Sequence, residues 1–255
     1  MKKPLSYRIS RILRAVSPWS HPYTAAVLLA GGSGNRMGDT GGVAKQWLTL
    51  GGRTVLERAV TALEACPQVD EIVVVVRRGE GEATAKLLRA MEVKKVRAVV
   101  SGGKTRQHSA YNGARKVSGK TQYIAIHDAA RCLVSAEDIS ATITAAYAAG
   151  AASLGVRVHD TVKRVNRAGY IVETQDRNEL WLAATPQASH YAMYMGAASA
   201  ALRYGREVTD DNMLMESIGQ RVRMVEAKGE VLKITTPKDM KRAELFLQSL
   251  TEEES

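Results

Sequence analysis

At 255 residues, 45% of them hydrophobic and 24% charged, the chain has the length for one large or two small globular domains. No apolar run approaches the ~18–20 residues of a spanning helix, and Cys66 and Cys132 are too few and too separated for a disulfide framework or a zinc site, which suits a cytoplasmic protein. The formal charge of +10 does not make a nucleic-acid binder: half of it crowds into Lys2, Lys3, Arg8, Arg11 and Arg14, and a single Phe offers no base-stacking platform.

Residues 1–23 read as an appendage to a domain spanning 24–251. Leu5, Ile9, Ile12, Leu13 and Val16 fall on one helical face and three arginines on the other, until Pro18 and Pro22 break the pattern. A basic amphipathic helix of this kind suits an anionic membrane surface. The favoured alternative is a solvated or disordered leader, or a start site placed too early. The stretch is too short and too interrupted by arginine for a secretory signal.

Ala25–Ala30 is a short apolar run that suits a strand buried on both faces. It empties into Gly31-Gly32-Ser33-Gly34-Asn35-Arg36-Met37, with Lys45-Gln46 following after seven more residues. Glycines let the backbone approach a ligand closely, and successive amide N–H groups in such a turn form an anion site to which Arg36 and Lys45 add charge. A purely structural turn is the bland alternative. The dinucleotide fingerprint lacks its third glycine, and the P-loop pattern is absent. What remains, G-G-x-G-x-R-M-x(7)-K-Q, resembles the signature of nucleotidyltransferases that join a nucleoside triphosphate to a sugar phosphate.

Further strands are predicted at Ile72–Val76, Arg97–Val100, Tyr123–Ile126 and Ala152–Val156. Helices are predicted between them at Thr54–Cys66, Glu82–Met91, Ser109–Val117 and Ala136–Ala149. This alternation predicts an α/β fold, a parallel sheet with helices on both faces. Ligands then gather at the carboxyl ends of the strands. Ser101–Arg106 is a glycine turn that opens a helix, and Ser109 is equally a helix cap or a ligand contact. His127-Asp128 ends the fourth strand; His127 reads as a core residue. Asp128 reads as a ribose or metal-water ligand, or else as an ion-pair partner of Arg131.

The rhythm breaks at Arg157–Trp181. Val158–Val165 and Tyr170–Val172 flank the turn Asn166–Gly169, predicting a projecting β-arm that is marginal alone and packs on a second copy of the chain. Asp176–Trp181 and Thr185-Pro186-Gln187 lead back to the domain. A helix at His190–Arg203, a short helix capped by Thr209–Asp211 and a strand at Arg221–Val225 follow. Lys233, at a strand end, precedes a closing helix that starts at Thr236-Pro237.

These motifs, above all His127–Arg131, Asp160-Thr161-x-Lys163, Asp176-Arg177-x-x-Leu180-Trp181 and Thr185-Pro186-Gln187, resemble the 2-C-methyl-D-erythritol 4-phosphate cytidylyltransferase family from about Ala25 to Leu250. The resemblance implies a Rossmann-like α/β domain with a mostly parallel sheet, CTP as cosubstrate, Mg²⁺, a polyol phosphate acceptor and a homodimer whose arms are exchanged. It implies that Gly32, Gly34, Arg36 and Lys45 hold the triphosphate and that Gly103 and Ser109 read cytosine. Asp128 is then near the ribose and, indirectly, the metal, and Lys233 faces the α-phosphate. Thr161 and Arg177 of the partner's arm, together with Asp210, bind the acceptor, and Arg36, Lys45 and Lys233 carry catalysis.

Three positions depart from the family pattern. Cys132 replaces a usual proline, Lys104 a frequent carboxylate and Val231 a frequent asparagine. The first and third are expected to alter loop stiffness and a backbone hydrogen bond, and Lys104 leaves base recognition to backbone groups and Ser109. A ribitol 5-phosphate cytidylyltransferase and a non-catalytic nucleotide-binding scaffold are the alternatives. Lys163 and the Arg177–Trp181 motif favour the erythritol enzyme, and three cations at separated sites disfavour a scaffold.

Overall fold

The computed structural model describes residues 21–32 and 43–253. Most of the leader, together with Gly34 and Arg36, lies outside them.

Seven strands form the main sheet. They are β1 (Thr24–Leu29), β4 (Glu71–Val76), β5 (Val96–Ser101), β6 (Tyr123–Asp128), β7 (Ala151–Arg157), β10 (Trp181–His190) and β11 (Arg223–Glu226), in the order β11-β7-β10-β6-β1-β4-β5. Two minor hairpins complete the strands: β2 (Thr49–Leu50) with β3 (Arg53–Thr54), and β8 (Lys163–Val165) with β9 (Ile171–Thr174). The helices are α1 (Val55–Ala65), α2 (Gly81–Ala90), α3 (Arg106–Ala114), α4 (Ala136–Ala149), α5 (Tyr191–Arg203), α6 (Asn212–Ser217) and α7 (Pro237–Glu253).

Strand alternation builds two cores. Ala26 and Leu28 of β1 with Ile72, Val74 and Val76 of β4 face Leu56, Val60 and Leu63 of α1 and Ile139 and Ile143 of α4. The intervening Val27, Val73 and Val75 face Ala110 and Ala114 of α3 and Tyr194 and Ala198 of α5. Each such side chain taken fully out of water contributes about 1.5–3 kcal/mol, so both faces must be covered. A Cβ on Gly113 of α3 would stand 2.4 Å from Val27 Cγ1 and 2.7 Å from Val75 Cγ2. Glycine there lets α3 lie directly on β1 and β4, and so sets the height of its first residue, Arg106.

From β1 the chain crosses to β4 and β5 on one side, then returns to β6 on the other, where Leu29 pairs with Asp128. The order therefore reverses between β1 and β6, the crevice where ligands bind in open sheets of this kind.

Four elements differ from the sequence reading. Residues 181–190, read only as a return path, form β10, which runs antiparallel to both β6 and β7. Pro186 hid it, because proline within a run argues against a central strand; the register shifts between Ala183 and Gln187, around that proline. Helix α3 starts at Arg106, capped by Thr105, whose Oγ1 accepts from the His108 N–H. Ser109 is thus not its cap. Lys233 lies on an irregular segment rather than at a strand end; one backbone bond, Ile234 N–H to Ala130 O (2.8 Å), seats it beside β6. In the arm, regular pairing is confined to Lys163–Val165 and Ile171–Thr174.

Candidate active site

A cavity of about 780 Å³ opens at the carboxyl ends of β1, β4, β5 and β6. Lys45, Arg77, Lys104, Arg106 and Lys233 line it, and Asp128 is the one acid among its lining residues. Five cations around one carboxylate make a site for a polyanion.

Asp128 is buried, and its carboxylate takes Arg106 Nε at 3.0 Å and Lys233 Nζ at 2.6 Å. Burial raises its pKa, but Arg106 and then Lys233 outweigh that and hold it well below the usual carboxylate range. A carboxylate held so low is a poor proton acceptor, so Asp128 works as a fixed charge and oxygen donor rather than a general base. Arg106 also gives Nη1 to Asp211 Oδ2 at 2.7 Å, and Tyr194 donates its hydroxyl to Asp211 Oδ1 at 3.0 Å. Burial disfavours the Arg106 cation, and its two carboxylate partners more than restore it.

The Asp128–Arg131 pair, the alternative reading of Asp128, does not form. Arg131 gives its guanidinium to the carbonyls of Val231 (2.6 Å) and Ala183 (3.5 Å). The departure at Val231 therefore meets Arg131 through its backbone. Cys132 is buried, which pushes its thiol up to about 11.

Beside Asp128, His127 Nδ1 stands 3.0 Å from Thr185 Oγ1, which also accepts from the Asp128 N–H at 3.1 Å. His127 is fully buried, and burial drops its pKa to about 4. As pH falls from about 6.5 to 4 the unfolded chain takes up this proton and the folded one does not. Stability therefore declines through that window, by about 3 kcal/mol from this group. Urea unfolding of wild type and His127→Gln at pH 7, 5.5 and 4 checks this. Wild type should lose about that much more than the variant, and parallel losses would refute it.

The glycine turns are held by side chains. Arg77 donates Nε (2.9 Å) and Nη2 to the Gly32 carbonyl. Ser109 Oγ accepts from the Gly103 N–H at 3.0 Å and donates to Thr105 O at 2.9 Å, so its role in the free enzyme is to fix the turn. A Cβ on Gly103 would meet His108 Cβ at 2.4 Å, which excludes a side chain there.

Of the site residues read from the sequence, Gly32, Lys45, Gly103, Ser109, Asp128 and Lys233 all line this cavity. Gly34 and Arg36 are outside the described residues. Thr161, Arg177 and Asp210 are not among its lining. Thr161 is exposed at the arm's base, and Arg177 Nη1 donates to His159 O at 2.7 Å. Asp210 accepts from Gln187 Nε2 (3.0 Å) and Asn212 Nδ2 (3.1 Å). Sequence reasoning missed Arg77, Arg106 and Asp211. Arg106 had a signal, since it is the cation at the first turn of a helix opened by glycines.

A mostly parallel α/β sheet with glycine turns and a cation-lined cavity at its switch point is the framework of a nucleotidyltransferase. The chain belongs to the 2-C-methyl-D-erythritol 4-phosphate cytidylyltransferase family, whose model matches residues 24–249. Curated proteins of that name from Desulforamulus reducens and Pelotomaculum thermopropionicum are 43% and 40% identical to it. Both alignments cover 88% of this chain, with 95% and 94% of those proteins. The solved 4-diphosphocytidyl-2C-methyl-D-erythritol synthase from Anaerococcus prevotii superposes with a TM-score of 0.78 at 28% identity, covering 89% of this chain and 96% of that one. The cytidylyltransferase from Thermus thermophilus superposes with 0.70 at 28% identity, covering 88% and 98%. The motif resemblance and the Rossmann-like fold expected from it both hold.

Proposed function

We propose that this enzyme transfers CMP from CTP to 2-C-methyl-D-erythritol 4-phosphate, giving 4-diphosphocytidyl-2-C-methyl-D-erythritol and pyrophosphate. The observation that carries the reading is the five-cation cavity at the β1–β6 crevice in a chain of this family. Family membership favours this acceptor over ribitol 5-phosphate and disfavours a scaffold.

The acceptor's phosphate oxygen attacks the α-phosphorus of CTP in line, a P–O bond forms, and the bond to the leaving pyrophosphate breaks. A phosphate monoester is largely ionised at pH 7, its second pKa being about 6, so no general base is needed. Positioning and charge stabilisation supply catalysis. In this scheme Lys45 and Arg36 hold the triphosphate and leaving group, Lys233 meets the α-phosphoryl oxygens, and Gly103 and Ser109 meet the base. Arg106 fixes Asp128 from the side away from Lys233.

Among the described residues no group of three or more His, Cys, Asp or Glu side chains stands ready for a metal. One carboxylate beside a triphosphate site fits Mg²⁺, which keeps water and phosphate oxygens as most of its ligands. Asp128, whose oxygens already take Arg106 and Lys233, would hold it indirectly through a coordinated water, and the ion would neutralise phosphate charge.

The arm supports a homodimer. Val165, Tyr170, Ile171 and Val172 are at least half exposed on a two-stranded ribbon, which is marginal alone in water. Seating it on a second subunit covers these groups and brings Thr161 and Arg177 to that subunit's acceptor. Asp210 stays a proposed acceptor contact. No helix among the described residues is long and apolar enough to cross a membrane, and we read the enzyme as cytoplasmic, with small phosphorylated partners and no nucleic acid.

Pyrophosphate release tests the reading, with CTP against ATP and GTP and with a panel of polyol phosphates. Release should require CTP and be fastest with the methylerythritol phosphate. Comparable kcat/KM for ATP and CTP, or a preference for ribitol 5-phosphate, would overturn it.

A further inference from the structure

Lys45 and Gly32 both line the cavity, yet they sit on separate stretches of chain, and one turn grips both. Gln46, which follows Lys45 in the 3₁₀ turn Lys45–Trp47, is 3% exposed and donates Nε2 to Glu80 Oε2 at 2.6 Å. The same carboxylate oxygen accepts the Arg77 N–H at 3.3 Å, and the Glu80 N–H returns to Arg77 O at 3.1 Å. Arg77 in turn grips the Gly32 carbonyl with Nε and Nη2. The β4–α2 loop, which also presents Arg77 to the cavity, thus fixes the glycine turn and the lysine against each other.

We propose that Arg77 and Glu80 are positioning residues of the reaction: Glu80 holds Lys45 in place through Gln46, and Arg77 holds the Gly32 carbonyl. The inference rests on the cytidylyltransferase reading, in which Lys45 meets developing phosphate charge. Such a cation must be held to a fraction of an ångström to act in the transition state, and a lysine side chain has four rotatable bonds with which to lose that place. Glu80 lies outside the cavity lining; its short bond goes to Gln46, with the Arg77 N–H farther off at 3.3 Å, so its main effect travels through Gln46.

A double-mutant cycle in the full chain tests it. Glu80→Ala should lower kcat about tenfold, the scale of a hydrogen bond to a charged group, with KM for CTP within about threefold. Glu80→Gln still accepts from Gln46 and should recover most of the loss. Placed in Lys45→Ala, Glu80→Ala should change kcat by less than about twofold, because the residue it positions is gone. Should Glu80→Ala fail to fold, Gln46→Leu removes the same bond from the other side and decides by the same criteria. Unchanged kinetics, or equal losses in both backgrounds, would overturn the inference. Wild type that releases no pyrophosphate from CTP would instead overturn the functional reading beneath it.

Discussion

Lys45→Ala is expected to lower turnover by about 100-fold or more while leaving the fold intact. Removing a single preorganised group that stabilises transition-state charge costs about 2.7–4 kcal/mol in comparable sites, which is 10²–10³ in rate. Lys45 fits that role because it is a half-buried cation at the start of a short 3₁₀ turn, lining a cavity where one carboxylate faces five cations. Its loss should cost little stability, because Lys45 is a half-buried side chain on a short 3₁₀ turn and not part of the buried apolar core. Steady-state kinetics with CTP and the acceptor, alongside thermal melting, give both halves of the result. Turnover within about threefold of wild type would remove Lys45 from the mechanism.

The parts of this site that were legible in the sequence are those whose chemistry is local. A buried strand running into glycines and then Lys45 declares itself within some twenty residues, and the polar turn Asn166–Gly169 between two short strands declares the arm. Thr54 with Glu57 forms the capping box that starts α1, so that helix was placed within a residue. What stayed hidden depends on distant pairing. Asp128 has Arg131 three residues away, and proximity offered that pair as the alternative; the fold instead supplies Arg106 from α3 and Lys233 from 105 residues downstream. Asp211 joins the network across 105 residues to Arg106, and no spacing rule reports such a contact. β10 was hidden by Pro186 and by buried polar residues, Thr185, Gln187 and Ser189, which read as a loop. Two of those groups are satisfied by the site: Gln187 Oε1 accepts the Asp211 N–H at 2.7 Å, and Thr185 accepts the Asp128 N–H.

The proposed division of the site between two subunits has the most distinctive consequence. Lys45 and Lys233 line the cavity, whereas Arg177 is tied to the arm's base by its bond to His159 O, and neither it nor Thr161 lines the cavity of its own chain. The arm itself is held together by local contacts, Arg164–Glu173 at 2.9 Å and Lys163 Nζ to Thr174 Oγ1 at 2.7 Å. It is anchored to the domain where Arg157 lies over the Trp181 ring at 4.6 Å. If the arm completes the partner's site, Lys45→Ala and Arg177→Ala disable different chains of the same centre. Each homodimer should be nearly inactive. Random exchange puts half of the dimers in mixed form, and each mixed dimer holds one centre with both residues intact.

Co-refolding equal amounts of Lys45→Ala and Arg177→Ala and measuring pyrophosphate release from CTP is therefore the most direct measurement. Activity should return to about one quarter of wild type, the statistical limit for a two-fold dimer. A mixture as inactive as its parents, with sedimentation and mass spectrometry of tagged chains showing that subunits have exchanged, would contradict a centre shared between two chains.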